Sequence, residues 1–174
     1  MSNNNLSIDS NFSVVVELEN ATTISWQEVG HSLRGLADQI GELAPKESAA
    51  KPQVLFAHAG SESETAEVLE GIDRESPRLG KVARVECASV PNGRYYELKN
   101  AGIARADGDR IVLLDSDAVP EAGWLRTLLA PLERRETIAV NGHTPPRHSG
   151  VISRTFALIW AFPLRAHDAR PRQR

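Results

Sequence analysis

Residues 106–117 read Ala-Asp-Gly-Asp-Arg-Ile-Val-Leu-Leu-Asp-Ser-Asp. The apolar run from Ile111 to Leu114 lies between turn-forming residues, and this pattern predicts a strand buried on both faces, as in a parallel sheet covered by helices. Asp115 and Asp117 follow where that strand meets solvent. Side chains two residues apart on an extended chain point the same way, so both carboxylates can face one ligand. Because ligands of open α/β sheets bind beyond the carboxyl ends of the strands, the pair predicts a metal or phosphate site.

A simpler interpretation of the same acids is a turn that leads into a helix. Asp and Ser side chains accept hydrogen bonds from nearby backbone N–H groups, and Pro120 suits the first turn of a helix. The three residues Asp115, Ser116 and Asp117 do not by themselves distinguish a ligand site from a helix cap. The choice between a ligand site and a helix cap therefore depends on the neighbouring strands and helices.

The rest of the chain alternates strand patterns with helix patterns. The predicted strands are Phe12 to Leu18, Gln53 to Ala57, Lys81 to Ala88, Ile111 to Leu114 and Thr137 to Val140, and the predicted helices are Trp26 to Gly41, Ser63 to Gly71, Arg94 to Ala106 and one that opens at Pro120. This alternation indicates βαβ units and an α/β fold with a mostly parallel sheet. Gly102 inside a helix costs roughly 1 kcal/mol relative to alanine, which indicates a close backbone contact there.

Length and composition fit one soluble globular domain. The chain has 174 residues, 41% of them hydrophobic and 25% charged. A chain of this length can bury a hydrophobic core without disulfide bonds or structural metal ions. A net charge of −3 gives no reason to expect a nucleic-acid partner. The lone Cys87 excludes an intramolecular disulfide, and its apolar surroundings predict a buried thiol in a reducing compartment. Residues 1–10 are polar and do not read as a signal peptide, so we expect a cytoplasmic location.

Ordered motifs run along the chain between about Phe12 and Gly142. They are Ser13-Val14-Val15-Val16 with Asn20, Gly60-Ser61 with Thr65, Lys99-Asn100-Ala101-Gly102-Ile103 with Gly108-Asp109, and Leu113-Leu114-Asp115-Ser116-Asp117 with Trp124-Leu125. Together they resemble the nucleotide-sugar half of a family 2 glycosyltransferase of the GT-A fold. The resemblance implies a Rossmann-like α/β/α sandwich and a nucleoside-diphosphate sugar as the partner.

The same resemblance implies a divalent metal, Mn or Mg, as cofactor. By the family's motif Asp117 would be a metal ligand, and Asp115 would contact the ribose or the metal shell. Lys99 stands where family members commonly have arginine, and would help to hold the donor. It keeps the positive charge but lacks the planar, bidentate fork of arginine.

Two positions that read the nucleotide base in the family are altered. Glu19 occupies the aromatic position of the usual Pro-x-Tyr-Asn-Glu pattern after the first strand. His58 stands where the second strand usually ends in aspartate. We keep both residues as donor-binding candidates without assuming a uracil-specific pocket.

The resemblance also sets the expected domain limits. We expect residues 1–11 to be disordered, 12–150 to form a nucleotide-diphospho-sugar-binding domain, 151–164 to be an amphipathic aromatic segment, and 165–174 to be a disordered basic tail. Family members continue into an acceptor region that supplies a carboxylate base, and no base is recognisable here, so we expect the C-terminal acceptor half to be lacking. Residues 155–164 would fold back, with self-association or peripheral contact at the inner face of the membrane as alternatives.

Two other functions stay open at this point. One is a truncated or non-catalytic donor-binding module of the same fold. The other is a haloacid-dehalogenase-like phosphatase, in which Asp115 would attack phosphorus and Asp117 would act as the general acid. Phosphatases of that kind usually carry their motif near the start of the chain, whereas here three predicted strand-helix units precede it.

Overall fold

The computed structural model describes residues 11–19, 25–43, 51–134 and 136–142. The strands are β1 (Phe12–Leu18), β2 (Gln53–His58), β3 (Arg84–Ser89) and β4 (Arg110–Asp115), and the helices are α1 (Trp26–Leu43), α2 (Thr65–Glu75), α3 (Leu79–Val82), α4 (Tyr95–Arg105) and α5 (Trp124–Leu132). A short 3-10 turn, Glu62–Glu64, precedes α2. The chain divides into two compact units, Met1–Asn141 and Gly142–Arg174, and all described residues except Gly142 belong to the first.

All four strands run parallel, in the order β3-β2-β1-β4. The chain moves outward from β1 to β2 and β3 and then returns past β1 to form β4, so the direction of winding reverses between β1 and β4. Such a switch point leaves a crevice at the carboxyl ends of the strands, where α/β proteins bind ligands. In register there, Glu17 lies beside Asp115, and Leu18 lies beside His58.

Helices pack on both faces of the sheet, so the predicted α/β/α sandwich is confirmed. On one face Val14, Val16 and Phe56 are buried under α1, α2 and α5. On the other face α4 packs on β1 and β2. A Cβ atom added to Gly102 of α4 would lie 2.3 Å from Cγ1 of Val15, so the predicted close contact at this glycine is also confirmed.

Strand β4 is buried on one face only, which corrects the expectation of a strand covered on both. Val112 and Leu114 belong to the core, whereas Ile111 and Leu113 are 38% and 43% exposed. The reason is the position of α4, which packs chiefly on β1 and β2 and leaves the same face of β4 uncovered. Within the described residues β4 also forms an edge of the sheet, since it pairs with β1 alone.

The prediction of a strand from Thr137 to Val140 is wrong. These residues have no regular secondary structure, and Ile138 is 95% exposed. An apolar run of this length forms a strand only where a neighbouring strand completes its hydrogen bonds, and none in the described part of the chain pairs with it. The helix predicted to open at Pro120 begins instead at Trp124, after a left-handed Gly123 with a φ of 78°.

The terminal segments are not part of the description above. Residues 1–10, 151–164 and 165–174 lie outside the described residues, as does the membrane or self-association surface predicted at 155–164. None of the described helices combines the length and the hydrophobicity that a membrane span requires.

Candidate functional site

The candidate site lies at the carboxyl ends of β1 and β4, where the winding reverses. Register places Glu17 of β1 directly beside Asp115 of β4. Neighbours in register on parallel strands point to the same face, and here that face is the one on which α4 packs. Asp117 follows in the turn after β4 and is exposed. The two carboxylates of the acidic motif therefore lie at the carboxyl edge of the sheet.

Helix α4 contributes Lys99 and Tyr95, which both bind Asp115. The two residues are four apart, so they lie one above the other on the helix surface. Lys99 Nζ lies 2.6 Å from Asp115 Oδ1 and 2.5 Å from the Tyr95 hydroxyl oxygen, and the Tyr95 hydroxyl donates to the same Asp115 oxygen at 2.9 Å. Lys99 Nζ is also 4.1 Å from the centroid of the Tyr95 ring, a cation–π contact.

Lys99 keeps its charge in this cluster. Burial lowers the pKa of Lys99, but its bonds to Asp115 and Tyr95 outweigh that effect and raise the pKa overall. The side chain of Lys99 is only 12% exposed, whereas that of Asp115 is 42% exposed. The crevice therefore contains a fixed ammonium group behind an accessible carboxylate.

The acidic pair retains free capacity for a ligand. Lys99 and Tyr95 both occupy Oδ1 of Asp115, and no other described residue donates to its Oδ2 or to Asp117. No group of three His, Cys, Asp or Glu side chains in the described ranges could by itself hold a metal ion. Mg and Mn prefer oxygen ligands, so two carboxylates fit such a cation when a ligand supplies the remaining oxygens.

Glu17 is a site residue that the sequence reasoning missed. Glu17 is 4% exposed, and its pKa is raised overall, chiefly by burial and also by the charge of Asp115. The backbone N–H groups of Glu19 and Ser116 and the charge of Lys99 act in the opposite direction. The sequence feature that could have identified Glu17 is a glutamate within a strand of mostly apolar residues, because a buried acid requires partners. Tyr95 was also missed, although its position four residues before Lys99 places both side chains on the same side of the helix.

Glu19 and His58 lie at the same edge of the sheet but differ in their placement. Glu19 directly follows β1, and its backbone N–H donates to Glu17 Oε2 at 2.9 Å. His58 alternates to the opposite face of the sheet, where its Nε2 lies 3.0 Å from Thr65 Oγ1 and its side chain is buried. Burial lowers the pKa of His58, although Glu64 and Glu62 act in the other direction. The structure thus brings Lys99 and Asp115 together, with Asp117 two residues further along the chain, whereas His58 lies on β2 and on the opposite face of the sheet.

Similarity to known proteins agrees with this geometry. The family profile described as Glycosyl transferase family 2 matches residues 13–170, a range that includes β1 from its second residue onward, the other three strands and the acidic turn. The chain belongs to this family. The resemblance expected from the motifs is therefore confirmed for this family 2 chain. No curated protein matches it.

A solved structure similar to the family 2 chain is the crystal structure of S. aureus TarS 1-349. The two share 19% sequence identity with a TM-score of 0.52, over 79% of this chain and 38% of the TarS chain. At this identity the likeness concerns the fold alone, and it supports the GT-A architecture. The family 2 chain spans less than half of that structure.

Proposed function

We propose that this family 2 chain binds a nucleoside-diphosphate sugar at the carboxyl edge of β1 and β4 and takes part in transfer of the sugar to an acceptor. One observation carries the proposal. Asp115 and Asp117 stand at the point where the winding of the sheet reverses, next to the charged Lys99. A diphosphate needs both cations and hydrogen-bond donors, and this edge offers a place for each.

A divalent Mg or Mn ion would be held by Asp117 and by Oδ2 of Asp115. The diphosphate would complete the set of oxygen ligands, because the described side chains alone are too few. When bound, such a cation neutralises the charge that develops on the diphosphate leaving group. Asp115 and Asp117 are needed to bind and orient the ion at this edge.

Lys99 would act on the donor as well as on Asp115. An ammonium group has three N–H donors, of which Asp115 and Tyr95 use two. The third is free for a phosphate oxygen. The raised pKa of Lys99 keeps the group positively charged at neutral pH, which favours an anionic ligand.

Glu19 and His58 would shape the nucleoside side of the site. Glu19 lies at the end of β1, next to the strand that carries Asp115. His58 acts through the turn that follows β2, because its ring bonds to Thr65 while Ser89 Oγ donates to the Gly60 carbonyl oxygen at 2.7 Å. These contacts fix the turn from the face opposite the acidic pair.

Thermal denaturation with a panel of nucleoside diphosphates and Mn(II) tests the proposal. A ligand at a hundred times its Kd adds about 2.7 kcal/mol, which corresponds to a rise in Tm of about 5–10 °C for a chain of this size. The rise should vanish in Asp117→Ala and persist in Asp73→Ala, a matched control on an exposed acid of α2. Donor binding is rejected if no nucleoside diphosphate or sugar nucleotide raises the Tm with Mn(II) present.

A donor-binding module without turnover would show the same rise in Tm, so a second assay is needed. Release of sugar from the identified donor, with or without an acceptor, distinguishes the transferase from the non-catalytic module. The family match favours both over the haloacid-dehalogenase-like phosphatase. For the phosphatase, beryllium fluoride should bind at Asp115, an oxygen of which is already bound by Lys99 and Tyr95.

A further inference from the structure

Glu17 is a buried acid that the proposed donor contacts leave unused. It lies near the end of β1, between two segments that form the site. One segment begins at Glu19, directly after β1, and the other is the turn at Ser116 and Asp117 after β4. The exposed fraction of Glu17 is only 4%, so its carboxylate is shielded from solvent.

The carboxylate of Glu17 joins these two segments through their backbones. Its Oε2 accepts the N–H of Glu19 at 2.9 Å. On the other side Glu17 pairs in register with Asp115, and the backbone N–H of the next residue, Ser116, lies near enough to the carboxylate to lower its pKa. Ser116 is 3% exposed, so water has little access to replace that partner. A buried N–H left without an acceptor destabilises the arrangement in which it is buried. One side chain thus connects Glu19 with the turn at Ser116.

We propose that Glu17 is a positioning residue that fixes the acidic turn after β4 relative to Glu19 at the end of β1, so that Asp117 and Glu19 meet the donor in a single geometry. The proposal rests on the donor-binding function proposed above. Glu17 acts through Ser116 and Glu19 and does not itself contact the donor. Its removal should weaken donor binding without removing any ligand of the metal or the phosphates.

Glu17→Leu is the main variant, because leucine retains most of the buried volume and removes both acceptor oxygens. Glu17→Gln is the conservative variant, since its single amide oxygen still accepts a hydrogen bond. Ser13→Ala is the matched control at the other end of β1. Ser13 is fully buried, accepts the Gly108 N–H at 2.9 Å and donates to Gln53 Oε1 at 2.7 Å, so its loss disturbs a similar contact far from the site.

The first measurement is calorimetric titration with Mn(II) and the nucleoside diphosphate that stabilises the wild-type chain, at a temperature where every variant is folded. Glu17→Leu should bind about tenfold more weakly, Glu17→Gln about threefold more weakly, and Ser13→Ala as the wild type does. The second measurement is amide hydrogen exchange without ligand. The Glu19 and Ser116 amides should exchange at least about tenfold faster in Glu17→Leu, while the amides of β2 remain unchanged.

Wild-type affinity in Glu17→Leu overturns the proposal, and so does unchanged exchange at Glu19 and Ser116. If Glu17→Leu does not fold, the threefold effect of Glu17→Gln on binding decides the matter. If the wild-type chain itself binds no nucleotide, the donor-binding function fails and the role of Glu17 in it fails too. In that case the exchange rates still report separately whether Glu17 connects Glu19 with the turn at Ser116.

Discussion

Replacement of Gly102 by alanine tests how closely α4 approaches the sheet, and α4 carries Lys99 and Tyr95. An added Cβ would lie 2.3 Å from Cγ1 of Val15, whereas ordinary contacts lie at 3.4–4 Å. Val15 is fully buried on a central strand. The helix must therefore shift outward by about 1 Å or Val15 must leave its preferred rotamer.

The size of the effect follows from two opposing contributions. Overpacking a core of this kind costs about 1–3 kcal/mol. Alanine is a better helix former than glycine by roughly 1 kcal/mol, which offsets part of that cost. Because the contact is so short, we expect a net loss of about 1–2 kcal/mol in the free energy of unfolding of Gly102→Ala.

Urea denaturation followed by circular dichroism measures this loss. Gly80→Ala is the matched control, since Gly80 lies in α3 with no atom within 4 Å of an added Cβ, and we expect it to gain up to about 1 kcal/mol. The double variant with Val15→Ala should recover at least about 1 kcal/mol relative to additivity, because the smaller side chain makes room. Wild-type stability in Gly102→Ala, or strict additivity with Val15→Ala, would refute this account of how α4 packs.

Three further predictions concern single side chains. Because the pKa of His58 is lowered from 6.5, the unfolded chain takes up the proton first as the pH falls. The contribution of His58 to stability is therefore complete above about pH 6.5 and is lost below it, by at most about 1.4 kcal/mol per pH unit. The variant His58→Asn should lack this loss when melting temperatures at pH 7.5 and 5.5 are compared. Equal losses of stability in the wild-type chain and in His58→Asn would contradict the prediction. Burial raises the pKa of Cys87 to about 12, so its half-buried thiol should react with a disulfide reagent at pH 8 far more slowly in the native chain than in urea, and equal rates would count against it. Tyr95→Phe removes a donor to Asp115 and an acceptor from Lys99, and should weaken Mn(II)-dependent nucleotide binding by roughly 1 kcal/mol with little change in melting temperature. Unchanged binding in Tyr95→Phe would show that the cluster does not serve the ligand.

Local pattern was sufficient for the features that depend on the chain's own neighbours. The limits of β1 agree with its apolar run from Phe12 to Leu18. The close approach at Gly102 followed from the cost of glycine inside a helix. The placement of Asp115 at the carboxyl end of β4, with Asp117 just beyond it, agrees with the carboxyl-end rule for α/β sheets.

Features that depend on packing between distant elements were not predictable in the same way. The apolar run of β4 is open on one face because α4 lies over β1 and β2, and nothing in residues 111–114 encodes that offset. Thr137 to Val140 has a strand pattern but no pairing strand among the described residues. Cys87 is half-buried rather than buried. The side of the sheet to which His58 points depends on the register between β1 and β2. In the structure His58 pairs with Leu18, and the sequence of β2 alone does not specify this pairing.

The central claim is that Asp117 and Asp115 bind a divalent cation together with a diphosphate. Calorimetric titration of a nucleoside diphosphate into the wild-type chain and into Asp117→Asn, each with Mn(II) and with a chelator, tests it most directly. We predict binding to the wild type that is at least about tenfold tighter with Mn(II) than with the chelator, and no such dependence in Asp117→Asn. Equal affinity in the two chains, or affinity that does not depend on the metal, would contradict the claim.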